Sequence, residues 1–255
     1  MISNAGDTPQ AITIVMAGRV TLTREGRSEL VIERGGGFGL LTVMAESVSA
    51  RAVAIAETVV LEIPAAAFRA ALEENFSLLR QALRTMSASL FAARGRLPAD
   101  PTKPLNPELG EFFEKPRSLV ENLLALRKGA FVDMDIDALV DLTRRMVEVR
   151  VPAGHVFWAA GEPATYALHV EYGRVRCTVP EGPHVDVGHD YTIGVMDVWS
   201  GESRGYEARA ETQTIAYQIE YEDFLAVTEL HVSVGLDMLR EMTREYLAHE
   251  KNAGS

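Results

Sequence analysis

The tripeptide Gly-Arg-Val occurs at Gly18-Arg19-Val20 and again at Gly173-Arg174-Val175, 155 residues later. Similar phrases lead into both, "GDTPQAITIVMAGRV" and "GEPATYALHVEYGRV". Three more landmarks keep the register. Phe38-Gly39 meets Ile193-Gly194, Ala56-Glu57-Thr58 meets Ala210-Glu211-Thr212, and "LEIPAAAF", ending at Phe68, meets "YQIEYEDF", ending at Phe224. Four landmarks within one residue of a common offset mean one fold written twice, and any architecture for this chain must repeat.

Each copy has the same grammar. The alternating stretches "AITIVMAG", "RVTLTRE", "HVEYGRVRCTV" and "ETQTIAYQIE" predict β-strands. Glycines punctuate them where turns need a positive φ or close backbone approach. A helix follows each set of strands. The reading is mainly β with helices (α+β): two jelly-roll-like β-rolls, each followed by a long helix. In the first helix Leu72, Phe76, Leu79, Leu83, Met86 and Leu90 recur at coiled-coil-like spacing, so this seam is expected to hold a homodimer; packing on its own roll is the alternative. Val232, Leu236, Leu239, Met242 and Tyr246 form a looser version in the second. The stretch "GRLPADPTKPLNPELGEFFEKPRS" is rich in proline and reads as a linker. Two helices then lead into the second copy, with Asp133 or Asp135 as the cap of the second of them. The expected boundaries are 1–96 for the first domain, 97–117 for the linker and 118–255 for the second domain.

Composition narrows the function. The formal net charge is −11, and no basic run interrupts it, which argues against nucleic-acid binding. No apolar run approaches a membrane span, and no secretory leader is evident. The single cysteine, Cys177, cannot form an internal disulfide, so the expected setting is cytoplasmic.

Helices, a glycine-punctuated roll and a closing helix, in that order, resemble the cyclic nucleotide-binding domain family, which includes the catabolite activator protein and the regulatory subunits of protein kinase A. Gly154, Gly161 and Gly173 fall where that family turns, and "YTIGVMDVWSGESRG" resembles its phosphate-binding cassette. The first copy resembles the same domain without its opening: Met1 aligns with Val156, so the lead helices, the first strand and part of the second are expected to be missing.

The resemblance implies a ligand site. The family's cassette supplies a glycine and backbone amides for a cyclic phosphate, a glutamate for the ribose hydroxyl, and an arginine for the phosphate charge. In the first copy Gly39 is kept, Leu40 stands at the glutamate position, Val48 at the arginine position, and Ser49 follows; Arg51 is out of register. In the second, Gly194 is kept, Val195 replaces the glutamate, Met196 follows, Arg204 is retained, Gly205 replaces the usual Ser or Thr, and bulky Tyr206 follows. Losing a buried charged acceptor costs about 2 kcal/mol, roughly thirtyfold in affinity. High-affinity nucleotide binding is therefore expected to be lost, with weak cAMP or cGMP binding in the second domain as the alternative.

Other chemistry is poorly supported. Cupins share the jelly roll but need a His-x-His pair, which is absent; His184, Asp186, His189 and Asp190 would be a weak substitute, so a cupin-like metalloenzyme is a remote alternative and no metal is expected. Cys177 sits in an alternating strand as a packing residue, and Trp158 and Trp199 read as core or rim. No nucleophile–histidine pair or P-loop occurs. The expected function is a non-enzymatic regulatory or scaffolding protein that acts through a protein partner. No helix-turn-helix follows the last helix, which argues against a transcription factor. The missing first strand should leave an unpaired sheet edge, to be completed by the 97–116 segment, a second copy or another protein; the prolines make the segment a poor strand, so an intermolecular solution is expected.

Overall fold

The computed structural model describes residues 2–8, 10–23, 29–47, 50–98, 105, 108–128, 131 and 133–252. The chain is α+β, with two β-rolls and helices after each. It forms two compact units, Met1–Ala82 with Leu236–Ser255, and Leu83–Gly235.

In the first roll the strands are β1 (Ala11–Ala17), β2 (Val20–Thr23), β3 (Leu30–Ile32) and β4 (Gly37–Phe38). A short helix α1 (Leu40–Met44) leads to β5 (Arg51–Ala54) and β6 (Val59–Pro64). They form two three-stranded sheets, β4-β1-β6 and β3-β2-β5, around buried Val15, Val20 and Ala52. Helices α2 (Ala65–Glu74) and α3 (Phe76–Arg94) follow.

The second roll is preceded by α4 (Leu119–Lys128) and α5 (Ile136–Arg145). Asp135 caps α5, accepting from the amides of Asp137 and Ala138 at 2.9 and 3.4 Å. The strands are β7 (Val147–Val151), β8 (Val156–Trp158), β9 (Tyr166–Tyr172), β10 (Val175–Thr178), β11 (His184–Val187), β12 (Tyr191–Ile193), β13 (Glu207–Ala210) and β14 (Thr214–Glu220), with α6 (Val195–Ser200) between β12 and β13. They form sheets β12-β9-β14-β7 and β11-β10-β13-β8. Helices α7 (Tyr221–Leu230) and α8 (Val232–Asn252) close the chain.

The repeated tripeptide has a physical cause. Gly18 and Gly173 have φ of +83° and +99°. A Cβ on Gly18 would stand 2.5 Å from Thr58 Oγ1, and one on Gly173 2.7 Å from Thr214 Oγ1. Only glycine suits both the conformation and the space. The amide of the next residue, Arg19 or Arg174, donates to the threonine of the repeated Ala-Glu-Thr, Thr58 at 3.3 Å and Thr212 at 2.9 Å. The two landmarks are thus the two sides of one corner.

The two rolls differ at one sheet edge. In the second roll β14 lies between β9 and β7; among the described residues of the first, β6 has β1 on one side only. Val59 and Leu61 on this edge are 58% and 49% exposed. The second strand survives as a stub: Ile2 N donates to Ala52 O at 2.9 Å and Ala52 N to Ser3 O at 3.0 Å, where β8 pairs with Ala208 in the other roll.

The helix expected from Leu72 to Leu90 is two helices. Asn75 adopts extended angles, φ −130° and ψ 91°, and its side chain accepts from Leu78 N at 3.1 Å, which starts α3. The apolar line therefore does not run along one continuous helix. Leu72, Leu79, Leu83 and Leu90 are each 0% exposed and Met86 7%, with Phe76 half-buried. The second copy breaks in the same place, at His231 between α7 and α8.

Candidate functional site

Each cassette begins with a glycine that ends a strand and starts a short helix. Gly39 caps α1 at φ +91° and Gly194 caps α6 at φ +80°. A Cβ on Gly39 would stand 2.8 Å from Ala11 O, and one on Gly194 3.4 Å from the equivalent Tyr166 O. The backbone frame of the site is therefore present twice.

The side chains diverge. In the first cassette Leu40 is 43% exposed and Arg51 is exposed on β5. Val48 and Ser49 lie outside the described residues. Beside the cassette is a cavity of about 220 Å³, bordered by Phe38, Gly39 and Thr42, by Thr13 on β1, by Glu62 on β6, and by Asp7 and Gln10. Its described lining carries two carboxylates and no Lys, Arg or His. Such a wall repels a phosphate diester.

In the second cassette Val195 and Met196 are half-buried and Arg204 is 2% exposed. The Arg204 guanidinium lies below Gly194, with its carbon 4.0 Å from the Trp158 ring centre and 5.2 Å from that of Tyr166. Nη2 donates to Tyr166 O. Nε and Nη1 find no hydrogen-bond partner among the described residues. Cation–π contact and one carbonyl thus hold a cation that has two free donors. Tyr206 is 1% exposed and packs 5.8 Å from Trp158, ring to ring.

Asp197 carries no signal along the chain that marks it as part of the site. This α6 residue is 2% exposed, and its Oδ1 has no partner among the described residues. Burial pushes its carboxyl up to about 6, against the pull of Arg204, the Gly205 amide and Arg96. Burial lowers Arg204 from its usual value, and Asp197 raises it. The two groups influence each other through space, with no described hydrogen bond between them.

The presumed linker is structured where described. Arg96 Nη1 donates to Ser203 O at 2.7 Å, and its guanidinium pairs with Glu202. The carbonyls of Glu108 and Leu109 accept from His189 N and Gly173 N at 2.8 and 2.7 Å. Arg117 pairs with Glu171, a 2%-exposed carboxylate on the outer face of β9. On the same face His169 is buried, bonds Thr192 Oγ1 at 3.0 Å, and is held down to about 3 by burial and by His189.

The other candidate residues have structural tasks. Asp186 binds Arg176 at 2.8 and 3.0 Å, and His189 Nδ1 meets Glu171 O at 2.8 Å. Among the described residues no group of three His, Cys, Asp or Glu could hold a metal ion. Cys177 is buried and its thiol is pushed up by burial, and Trp158 and Trp199 are core residues at 2% and 1% exposure. No described helix is long and apolar enough to cross a membrane.

With this geometry in hand, the comparison with known families is decisive: the cyclic nucleotide-binding domain matches residues 1–75 and 148–231. The chain belongs to that family. It carries tandem cyclic nucleotide-binding domains. An NTE family protein of Mycobacterium tuberculosis and one of Mycobacterium bovis, both uncharacterised, are each 32% identical over 114 residues, 44% of this chain. The chain spans 19% of the length of those relatives. Among solved structures, the regulatory domain of Toxoplasma gondii PKA with cAMP aligns over 93% of this chain and 79% of its own, at 15% identity and a TM-score of 0.39. The N-terminal domain of a transcriptional regulator from Streptomyces coelicolor A3(2) covers 47% of this chain and 90% of its own, at 23% identity and a TM-score of 0.42. Cyclic nucleotide-binding domains are regulatory or sensor modules, which sets the class of role for these two rolls.

Proposed function

We propose that the chain is a non-enzymatic regulatory module whose cyclic nucleotide-binding domains no longer bind cyclic nucleotides tightly and whose output passes through protein contacts. The observation that carries this reading is the pair of apolar side chains, Leu40 and Val195, at the ribose-acceptor position of the two cassettes. The first cassette also borders a cavity whose described lining has carboxylates and no cation. Removing the acceptor weakens binding by roughly thirtyfold, and a cation-free wall removes the phosphate partner as well. The exposed β6 edge is the natural surface for a partner strand, since its backbone groups face outward. In the much longer mycobacterial NTE family relatives, rolls of this kind would be a regulatory part beside another activity.

One observation favours a second reading. Arg204 keeps two donor nitrogens, Nε and Nη1, without a partner among the described residues beside the Gly194 helix start, which suits an anion, so the second domain is the place where we would look for residual cAMP or cGMP. Isothermal titration calorimetry of the purified chain with cAMP and cGMP tests both. We expect no binding tighter than about 10 μM. A submicromolar curve overturns the first reading; its loss in Arg204→Ala then establishes the second.

A further inference from the structure

The second cassette ends in a residue that only a neighbouring segment explains. Gly205 has no positive φ to require glycine. What requires it is Arg96: a Cβ at 205 would stand 2.5 Å from Arg96 Cβ and 2.7 Å from Arg96 Cγ. Rotation about χ1 can move Cγ, but Cβ is fixed by the backbone and cannot swing away. Gly95, at φ +84°, turns the chain out of α3 to place Arg96 there. Three polar contacts fix the position: Arg96 to Ser203 O at 2.7 Å, Arg96 to Glu202, and the Tyr191 hydroxyl donating to Pro98 O at 2.8 Å.

The same segment reaches the interior of the roll. Leu97 and Leu105 pack against the core cluster that contains Trp158, Tyr206 and the fully buried Cys177. The cluster is the buried core of the second roll, so the segment that carries Leu97 and Leu105 covers part of that core. We propose that residues 95–98 with Leu105 are a built-in latch, which closes the mouth of the second roll and seats because position 205 has no side chain. In this arrangement the chain itself occupies the way in, and any ligand or partner that enters the roll must first displace Arg96 from the cassette. The latch holds whether or not the roll binds a nucleotide, and its test does not depend on binding.

Cys177, the only cysteine in the chain, reports the state of the mouth. The rate of its reaction with a thiol reagent such as dithionitrobenzoate is measured under native conditions in the wild type and in Arg96→Ala, Leu97→Ser and Gly205→Ala. Urea melts give the global stability of each. Each variant is expected to label about tenfold faster or more, the effect of losing one charge-assisted hydrogen bond or its equivalent, with the gain exceeding that expected from any change in global stability. The double variant Arg96→Ala/Gly205→Ala is expected to label no faster than the faster single, because both open one latch. Unchanged labelling in Arg96→Ala and Leu97→Ser overturns the proposal, as does labelling that tracks global stability or a double variant whose gains multiply. If Gly205→Ala fails to fold, Arg96→Ala with Leu97→Ser, which introduce no clash, decide the matter alone.

Discussion

Asp197→Asn should make the protein more stable at neutral pH than the wild type, by an amount that vanishes in acid. Asp197 is 2% exposed, with one oxygen unpartnered among the described residues. Burial raises its carboxyl from the ordinary 3.8 to about 6. The charged groups around it are Arg204 and Arg96, which pull the other way, and the Gly205 amide also favours the anion. The sign follows from linkage. Between pH 3.8 and about 6 the folded state holds a proton that the unfolded chain has released, so stability falls as pH rises through this window. Two pH units at about 1.4 kcal/mol each come to about 3 kcal/mol, an upper figure for a group so coupled to Arg204. Asparagine has no proton to lose and can still accept from the Gly205 amide. Urea unfolding of both proteins at pH 3.5, 5, 6 and 7 measures the difference. The advantage of Asp197→Asn over wild type should grow between pH 3.5 and 6 and then level off. A difference that is constant across the series would show that Asp197 is ionised in the folded state throughout, paired with Arg204 as a settled ion pair.

His169 should act in the opposite sense: held neutral down to about 3, it favours unfolding as pH falls below the usual histidine range, so His169→Gln should lose less stability than wild type between pH 6.5 and 4.5 in the same assay. Leu79→Asp or Leu83→Asp should unfold the chain or lower its stability by several kcal/mol, because both side chains are 0% exposed; light scattering that finds a folded monomer arising from a wild-type dimer would show the seam to be an intermolecular contact. Gly173→Ala should cost about 2–4 kcal/mol, from its positive φ together with the close approach of Thr214. Gly161→Ala, at φ +90° with nothing within 4 Å of the added carbon, should cost only the conformational part, about 1–2 kcal/mol; equal losses in chemical denaturation would deny the close approach any role.

Much of this protein was legible along the chain because the signals are local. The corner at Gly18 and Gly173 needs a residue without a side chain, and the threonine that caps it lies on the next corner, so both recur at the repeat distance. Strand alternation placed β1, β2, β9, β10 and β14. The cap of α5 was a choice between Asp133 and Asp135 that hydrogen bonding resolves in favour of Asp135. The break at Asn75 was concealed by apolar spacing that runs across it undisturbed, although an asparagine three residues before an amide it can cap is a signal in itself.

What only the tertiary structure decided depends on residues far apart in sequence. Asp197 looks like an ordinary helix-start acid, and its raised carboxyl follows from the roll closing over it. Arg204 was identified from its place in the cassette, but whether its guanidinium points to solvent or lies against Trp158 is settled by packing. The prolines of the 97–117 stretch predict a linker, because proline breaks regular ladders; they say nothing about whether Arg96, Leu97 and Leu105 find a surface. Gly205 was visible as a departure from the family's usual residue. Its cause, the stem of Arg96 more than a hundred positions earlier, is a steric fact that exists only once the chain has folded.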